Sequence, residues 1–462
     1  MKTLRRFFAW TKSHRWYVAA FFLLVLSFNL NIMGLGPNEG WFDSFQDDSE
    51  AIVYKTIECG GVVDGYAGPL ASGDPKAFSS TMLRPGCTQG AFSPYGSQFG
   101  LQSRTFSALK PSFISNGLYI KIAELLLTVV TALMIVMLVR RLEQEFGQVV
   151  AVSVYGLTVF SPWIAGYARN MYWVIFTVLL PFVFSMLYYK KLKDSGRLHV
   201  FYGILFALFL LKLLNGYEYA STIFVSAFVP IVYYELAYTK VKVQKLWKQA
   251  LAVLITGVAA IVIAIGANIV GLKEYADSWT GAYRIVAGRA EDRSNIEKYK
   301  NQVVGQLART APEAKRTIER FYNVDQLSGG EGSTIKFIAI SAINYMMLPA
   351  ITLPFLVHEP LATIMQSILL MIIVSWLCLR MVKTRVKGRE GRKIRAIIYC
   401  YWLSLAGAMS WLVLMPGHTF VHPHINAIVF YVPFMFFAYI SIGLYIDSRI
   451  KKRHKLPFKK YV

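Results

Sequence analysis

Long apolar runs recur along this chain, separated by short basic stretches or by two long polar ones. A run of about 18 or more apolar residues is long enough to cross a bilayer core roughly 30 Å thick. The pattern predicts ten membrane-spanning helices, with approximate cores at 16–36, 118–139, 149–166, 171–189, 199–215, 220–238, 249–271, 361–380, 394–414 and 427–446. The first run follows Lys2, Arg5, Arg6, Lys12 and Arg15, as a signal peptide would. It lacks a small-x-small cleavage site, which makes it an uncleaved anchor.

One further apolar stretch, "FIAISAINYMMLPAITLPFLV" at 337–357, is interrupted by Pro349 and Pro354. Counting it as a span would move the basic segment "RMVKTRVKGREGRKIR" to the wrong face. It reads instead as a re-entrant or interfacial segment, a backbone tolerated at membrane depth only when buried in protein or lining a wet cavity. The expected fold class is therefore an all-α polytopic membrane protein. It divides into a cytoplasmic N-terminus with the first span (1–36), a first extracytoplasmic loop (37–117) and spans 2–7 (118–271). A second extracytoplasmic loop with the re-entrant segment (272–360), spans 8–10 (361–446) and a basic cytoplasmic tail (447–462) follow. The first loop, rich in Gly, Pro and Ser, predicts an irregular fold. The second reads as helical and charged, from "DSWTGAYRIVAGRAEDRSNIEKYKNQ" onward. No internal repeat is visible, which argues against a transporter built from two related halves.

Composition agrees: 55% of residues are hydrophobic and 16% charged, where a soluble protein carries about a quarter. The formal charge of +23 is explained by its location. With the N-terminus inside, segments 1–15, 140–147, 190–198, 239–248, 380–395 and 447–462 hold 30 of the 49 Lys and Arg residues. They hold only five acids, Glu143, Glu145, Asp194, Glu390 and Asp447. Such a bias sets orientation and places a basic collar near anionic lipid head groups, with no need for nucleic acid. Of the four cysteines, Cys378 and Cys400 fall in spans, while Cys59 and Cys87 share the first polar loop. In an oxidising compartment those two have one pairing open to them; two free thiols are the alternative.

Against this basic background the stretch "GWFDSFQDDSEAIVY" clusters Asp43, Asp47, Asp48 and Glu50 at the outer mouth of the first span. In a helix, Asp43 and Asp47 share a face, as do Asp47 and Glu50. Clustered acids beside a low-dielectric wall raise one another's proton affinity and so suit a general base. The same acids also suit a helix start, where they favour the macrodipole. Cations face them. Arg169, in the short outer connection "GYARNMYW", stands at head-group level. Arg284, Arg289 and Arg293 follow at helical spacings on the second loop. Arginine's fork fits phosphate, although snorkelling or pairing with Glu291 or Asp292 is the plainer role. Glu218, after Lys212 at the outer end of span 5, is placed to reach an outer cavity. Lys121 and Glu124, one turn apart, suit a structural ion pair. In "PGHTFVHPHINA", His418, His422 and His424 raise a metal site, but Pro423 breaks any helical ligand pattern and no Cys or carboxylate stands in register. No metal and no cofactor is required; these histidines suit hydrogen bonding to a phosphate or sugar, or a structural turn. Trp41, Trp163, Trp173 and Trp279 read as an aromatic belt at the outer interface.

A first span followed by a large outer loop that opens on paired acids resembles the GT-C superfamily of membrane glycosyltransferases. "SPWIAGYARNMYWV" and "GHTFVHPHIN" also look like segments of uncharacterised bacterial members. The resemblance implies a GT-C-like architecture of about ten spans. It implies a donor sugar on a polyprenyl-phosphate lipid, a glycan, lipid or protein acceptor, and a place in the bacterial cytoplasmic (inner) membrane with both termini cytoplasmic. Carried onto "QDDSE", it makes Asp48 or Asp47 the expected base and Asp43 a weaker candidate. It makes Arg169, with an arginine of the second loop such as Arg284 or Arg289, the expected stabiliser of the leaving lipid phosphate in an inverting displacement. Glu218, His418, His422 and His424 are expected at the rim. A tryptophan-rich acceptor motif is missing, so sugar and acceptor stay open. Two other functions fit parts of the pattern: an O-antigen polymerase or ligase, which relies on loop Arg and His, and a transporter or flippase, which places charge near mid-membrane.

Overall fold

The computed structural model describes residues 15–35, 42–43, 45–60, 66, 68–72, 92–239, 241–295, 333–346, 348, 350–352, 367–383, 388–421 and 428–455. It is 81% helical. The helices in chain order are α1 (Arg15–Leu30), α2 (Asp47–Glu58), α3 (Leu101–Leu109), α4 (Asn116–Phe146), α5 (Gln148–Val159), α6 (Pro162–Ala168), α7 (Phe176–Asp194), α8 (Leu198–Asn215) and α9 (Ala220–Tyr234). There follow α10 (Trp247–Leu272), α11 (Trp279–Ser294), α12 (Ser333–Met346), α13 (Ser367–Lys383), α14 (Gly388–Leu414) and α15 (Pro416–Val421). Last come α16 (Ile428–Phe430), a π turn (Tyr431–Met435) and α17 (Phe436–Lys455). Two short strands, β1 (Leu70–Ser72) and β2 (Phe92–Pro94), pair antiparallel with Ala71 opposite Ser93.

Every one of the ten predicted spans contains a helix, yet six helices are long and apolar enough to cross a membrane, or seven if one bent pair is a single span. The difference has physical causes. The described part of α1 has 16 residues and α13 has 17. Helix α7 carries Lys190, Lys191 and Lys193 within its length. The predicted span 149–166 is the bent pair α5–α6, which turns by 68°. Pro162 opens α6 and has no N–H to continue the ladder, while Ser161 Oγ accepts the Ile164 N–H (3.2 Å). The Phe160 carbonyl freed at the break accepts from Thr352 N at 2.9 Å. Residues Ala350, Ile351 and Thr352 are buried there. They follow α12, whose 14 residues are too few for a span; Pro349 and Pro354 lie outside the described residues.

Helices α7, α9 and α14 pack side by side, with α8 and α10 on one flank and α4, α5 and α17 on the other. Helices α2, α3 and α11 and the β ladder gather at one end of this bundle. There Tyr66 and Leu70 of the first loop share a small outer core with Leu272, Ala282 and Val286. We call it the loop-bearing end. Cys59, in this region, is disulfide-bonded; Cys87 lies outside the described residues, and Cys378 and Cys400 are buried free thiols. At the far end, buried acids are enclosed by donors. Glu145 accepts from Tyr233 (2.7 Å) and Tyr238 and pairs with Lys393 (3.2 Å) and Arg141 (3.5 Å). Glu235 accepts from Tyr189, Lys193 and Thr239.

Candidate functional site at the loop-bearing end

The segment that follows α6 organises the site. Asn170 Oδ1 accepts the backbone N–H of Tyr172 (3.1 Å) and Trp173 (2.9 Å), a side-chain turn typical of asparagine. This leaves the Met171 N–H pointing at α2, where it donates to Glu50 Oε1 at 2.7 Å. Trp173 Nε1 donates to Gln46 Oε1 (3.1 Å) at the start of the same helix. Arg169 Nη2 donates to the Phe42 carbonyl (2.8 Å), lies over the Phe42 ring (4.2 Å) and stands 3.5 Å from Asp43 Oδ1. Strain collects at this junction. Gln46, Val174 and Tyr219 have φ of 63°, 44° and 65°, a region that non-glycine residues avoid and a β-branched one most of all. Each costs about 1–3 kcal/mol. All three surround Trp173: Gln46 takes its N–H, Val174 is its neighbour, and Tyr219 stacks on its ring at 5.4 Å.

Glu50 is the buried member of the acidic cluster, 6% exposed. Burial, then the field of Glu124, pushes its carboxyl up to about 8, against the pull of the Met171 N–H and Arg169. Among the described residues no Lys or Arg forms an ion pair with it. Tyr54 bridges the two acids' surroundings and donates to Glu124 Oε1 at 2.9 Å. Glu124 thus turns to Tyr54; the expected pairing with Lys121 is not formed, and Lys121 is exposed. Of the other cluster members, Asp43 and Asp48 are exposed. Asp43 stands beside Arg169. Asp47 is half-buried in the first turn of α2. Asp48 is exposed, its Oδ1 accepting the Ser49 N–H at 2.7 Å.

The second half of the site lies where α8 meets α9. Arg293 Nη1 donates to Glu218 Oε1 at 3.0 Å, and Lys212 Nζ donates to the Gly216 carbonyl at 2.7 Å. A Cβ at Gly216 would stand against the Glu218 carboxylate and Gln98 Oε1 and push those side-chain ends aside. Burial works against the Glu218 charge, but Arg293 and Lys212 together hold its carboxyl below the ordinary value. The same ion pair raises Arg293 despite its burial. On α11, Val286, Arg289, Ala290 and Arg293 recur at helical spacing and form one face. That face covers a cavity of about 340 Å³ whose walls include Leu213, Phe224, Leu254, Val258, Ile261 and Ile265. The cavity wall is almost wholly apolar along α8–α10 and α14, and Arg289 and Arg293 of α11 stand among its lining residues.

The structure therefore brings Asp43 to Arg169, and Arg289 and Glu218's partner Arg293 to one cavity. Arg284 falls on the opposite side of α11 and is exposed. His418 is buried, edge-on to Trp411 (5.3 Å) and Tyr219 (6.1 Å). His422 and His424 lie outside the described residues. Among the described residues no group of three or more His, Cys, Asp or Glu side chains has the arrangement of a metal site. Trp163 and Trp173 are core residues, 4% and 5% exposed, because the α5–α6 bend folds them inward; Trp279 is exposed and Trp41 is outside the described residues. Comparison with protein-family models, with curated proteins and with solved structures gives no match.

Proposed function

We propose that this chain is a membrane glycosyltransferase of GT-C type. It moves a sugar from a polyprenyl-phosphate-linked donor to an acceptor at the outer face of the cytoplasmic membrane, with the loop-bearing end outward. The observation that carries the reading is the cavity at that end: an apolar body with Arg289 and Arg293 on one side. Such a shape suits a ligand with a greasy chain and an anionic head. Acidic helix α2 belongs to the same end, since its loop shares an outer core with α11.

In this reading the lipid chain lies between α8, α9 and α10, and its phosphate meets arginine, whose fork suits phosphate oxygens. A carboxylate of α2 takes the acceptor's proton while the acceptor oxygen attacks the anomeric carbon. The bond from that carbon to the phosphate oxygen breaks with inversion, and the lipid phosphate leaves with the electron pair, stabilised by arginine. Asp48 is the exposed carboxylate of the first turn, with Asp47 half-buried beside it. Glu50, one turn on, has the proton affinity that base catalysis near neutral pH favours.

The test is donor turnover by the purified protein in lipid nanodiscs. Synthetic polyprenyl-phosphate sugars are supplied, and release of the sugar to water or to added acceptors is followed. The reading expects turnover that falls in D47N/D48N and in E50Q. Turnover unaffected by all three substitutions favours a polymerase or ligase type of site. Absence of turnover, with the lipid instead crossing the bilayer, favours a flippase.

A further inference from the structure

The two arginines on the cavity face of α11 are not equivalent. Arg293 is half of a buried ion pair with Glu218 at 3.0 Å, their side chains 15% and 3% exposed. Arg289, one turn earlier, is exposed and makes no hydrogen bond or ion pair among the described residues. Lys212, behind them, is committed to the Gly216 carbonyl. Glu218 is thus a poor ligand for a phosphate: its charge has the wrong sign, and its carboxylate is taken. Its effect is to cancel the charge of one of the two arginines among the cavity's lining residues.

We propose that Glu218 is a specificity-determining residue. By neutralising Arg293 it leaves Arg289 as the cation open to a ligand head group, and so selects a prenyl lipid bearing one phosphate over one bearing a diphosphate. The proposal rests on the lipid-phosphate reading of the cavity and adds to it the number of phosphates. Coulomb attraction at the edge of a low-dielectric wall is strong enough to discriminate. A second free guanidinium would favour the more highly charged head, which offers more oxygens for bidentate contacts. Gly216 keeps the pair in place, because any side chain there would displace the Glu218 carboxylate. Field effects from Lys212 add to the same network and hold Glu218 in its charged form.

The test is direct binding of farnesyl phosphate and farnesyl diphosphate to the full chain in detergent, read as the ratio of their Kd values at fixed salt. Wild type is expected to prefer the monophosphate. E218Q, which keeps a hydrogen-bond acceptor for Arg293 while removing the charge, is expected to move the ratio at least about tenfold toward the diphosphate. This is the scale of one charge-assisted contact. R289A is expected to weaken both probes about tenfold or more. The double variant E218L/R293M removes the pair together and is expected to keep the wild-type ratio, while E218D, which draws the carboxylate back from Arg293, is expected to move the ratio toward the diphosphate and covers the case in which E218Q does not fold. An unchanged ratio in E218Q, a wild-type preference for the diphosphate, or a shifted ratio in the double variant each overturns the proposal. If neither probe binds wild type, the lipid-phosphate reading itself is wrong, and the proposal falls with it.

Discussion

Helix α9 has an acid at each end. Glu218 precedes it at the loop-bearing end, and Glu235 closes it at the far end, about 25 Å away at 1.5 Å per residue. Both of these acids are paired, with Arg293 and Lys193; the ends differ in their other buried acids, Glu50 and Glu145. At the far end Glu145 and Glu235 each receive several donors, tyrosine and lysine among them. Left-handed turns there fall on glycines, Gly147, Gly196 and Gly388. At the loop-bearing end Glu50 accepts the Met171 N–H and has Tyr54 beside it, has no ion pair among the described residues, and is pushed up to about 8. The non-glycine residues with positive φ among the described residues, Asn31, Gln46, Val174, Tyr219 and Asp277, all lie at this end. Well-satisfied charge and relaxed turns mark a structural anchor. An acid without an ion pair beside strained backbone is where a test of the proposed site belongs.

The sharpest way to break this contrast is to exchange the effects of its acids. Glu145→Ala strands the Lys393 and Arg141 cations and is expected to cost about 3–5 kcal/mol, read as a large fall in thermal unfolding temperature in detergent. E50Q is expected to cost far less stability and far more turnover, about a hundredfold or greater. Its pH signature differs in sign from that of a paired acid. A carboxyl raised in the fold contributes stability fully below its unfolded value of 4.5 and loses it as pH rises through about 8. Wild type should therefore lose stability across that window, while E50Q should not. Parallel unfolding curves for the two proteins from pH 5 to 9 would erase the distinction between the ends.

Smaller changes sharpen the comparison further. Gly216→Ala drives a methyl group into the Glu218 and Gln98 side chains and is expected to cost about 1–3 kcal/mol. The matching change at Gly196, where a Cβ meets nothing within 4 Å, pays only the backbone strain of its φ of 72°. Asp43→Asn removes one partner of an exposed pair with Arg169 and is expected to change stability by less than about 1 kcal/mol.

Hydropathy made most of the helices legible, because a bilayer core demands long apolar runs whatever their packing. The bend at Ser161–Pro162 was written in the sequence but masked by the apolar residues on either side. The second loop's helix was readable from its spacing, and so was the proximity of Arg289 to Arg293. What spacing alone did not reveal was their inequality, since the acid that neutralises Arg293 lies 75 positions away. Among the acids, composition drew attention to Asp47 and Asp48, whereas Glu50 is the one carried inward. A local clue existed: Glu50 leads directly into Ala51-Ile52-Val53-Tyr54, all buried. The tryptophans misled for a related reason. Trp163 and Trp173 stand beside the predicted span ends in the sequence, but the fold turns them into its core around Asn170.

The most direct measurement is photo-crosslinking with a prenyl phosphate that carries a diazirine in its chain. In the full chain, in nanodiscs, adducts are expected on cavity-lining residues that are buried or half-buried, such as Leu213, Phe224, Ile261 and Ile265. They should fall when Arg289 is replaced by alanine and when excess unlabelled prenyl phosphate competes. Labelling confined to lipid-exposed residues such as Phe22, Leu126 and Val262, with no competition and no dependence on Arg289, would contradict the account.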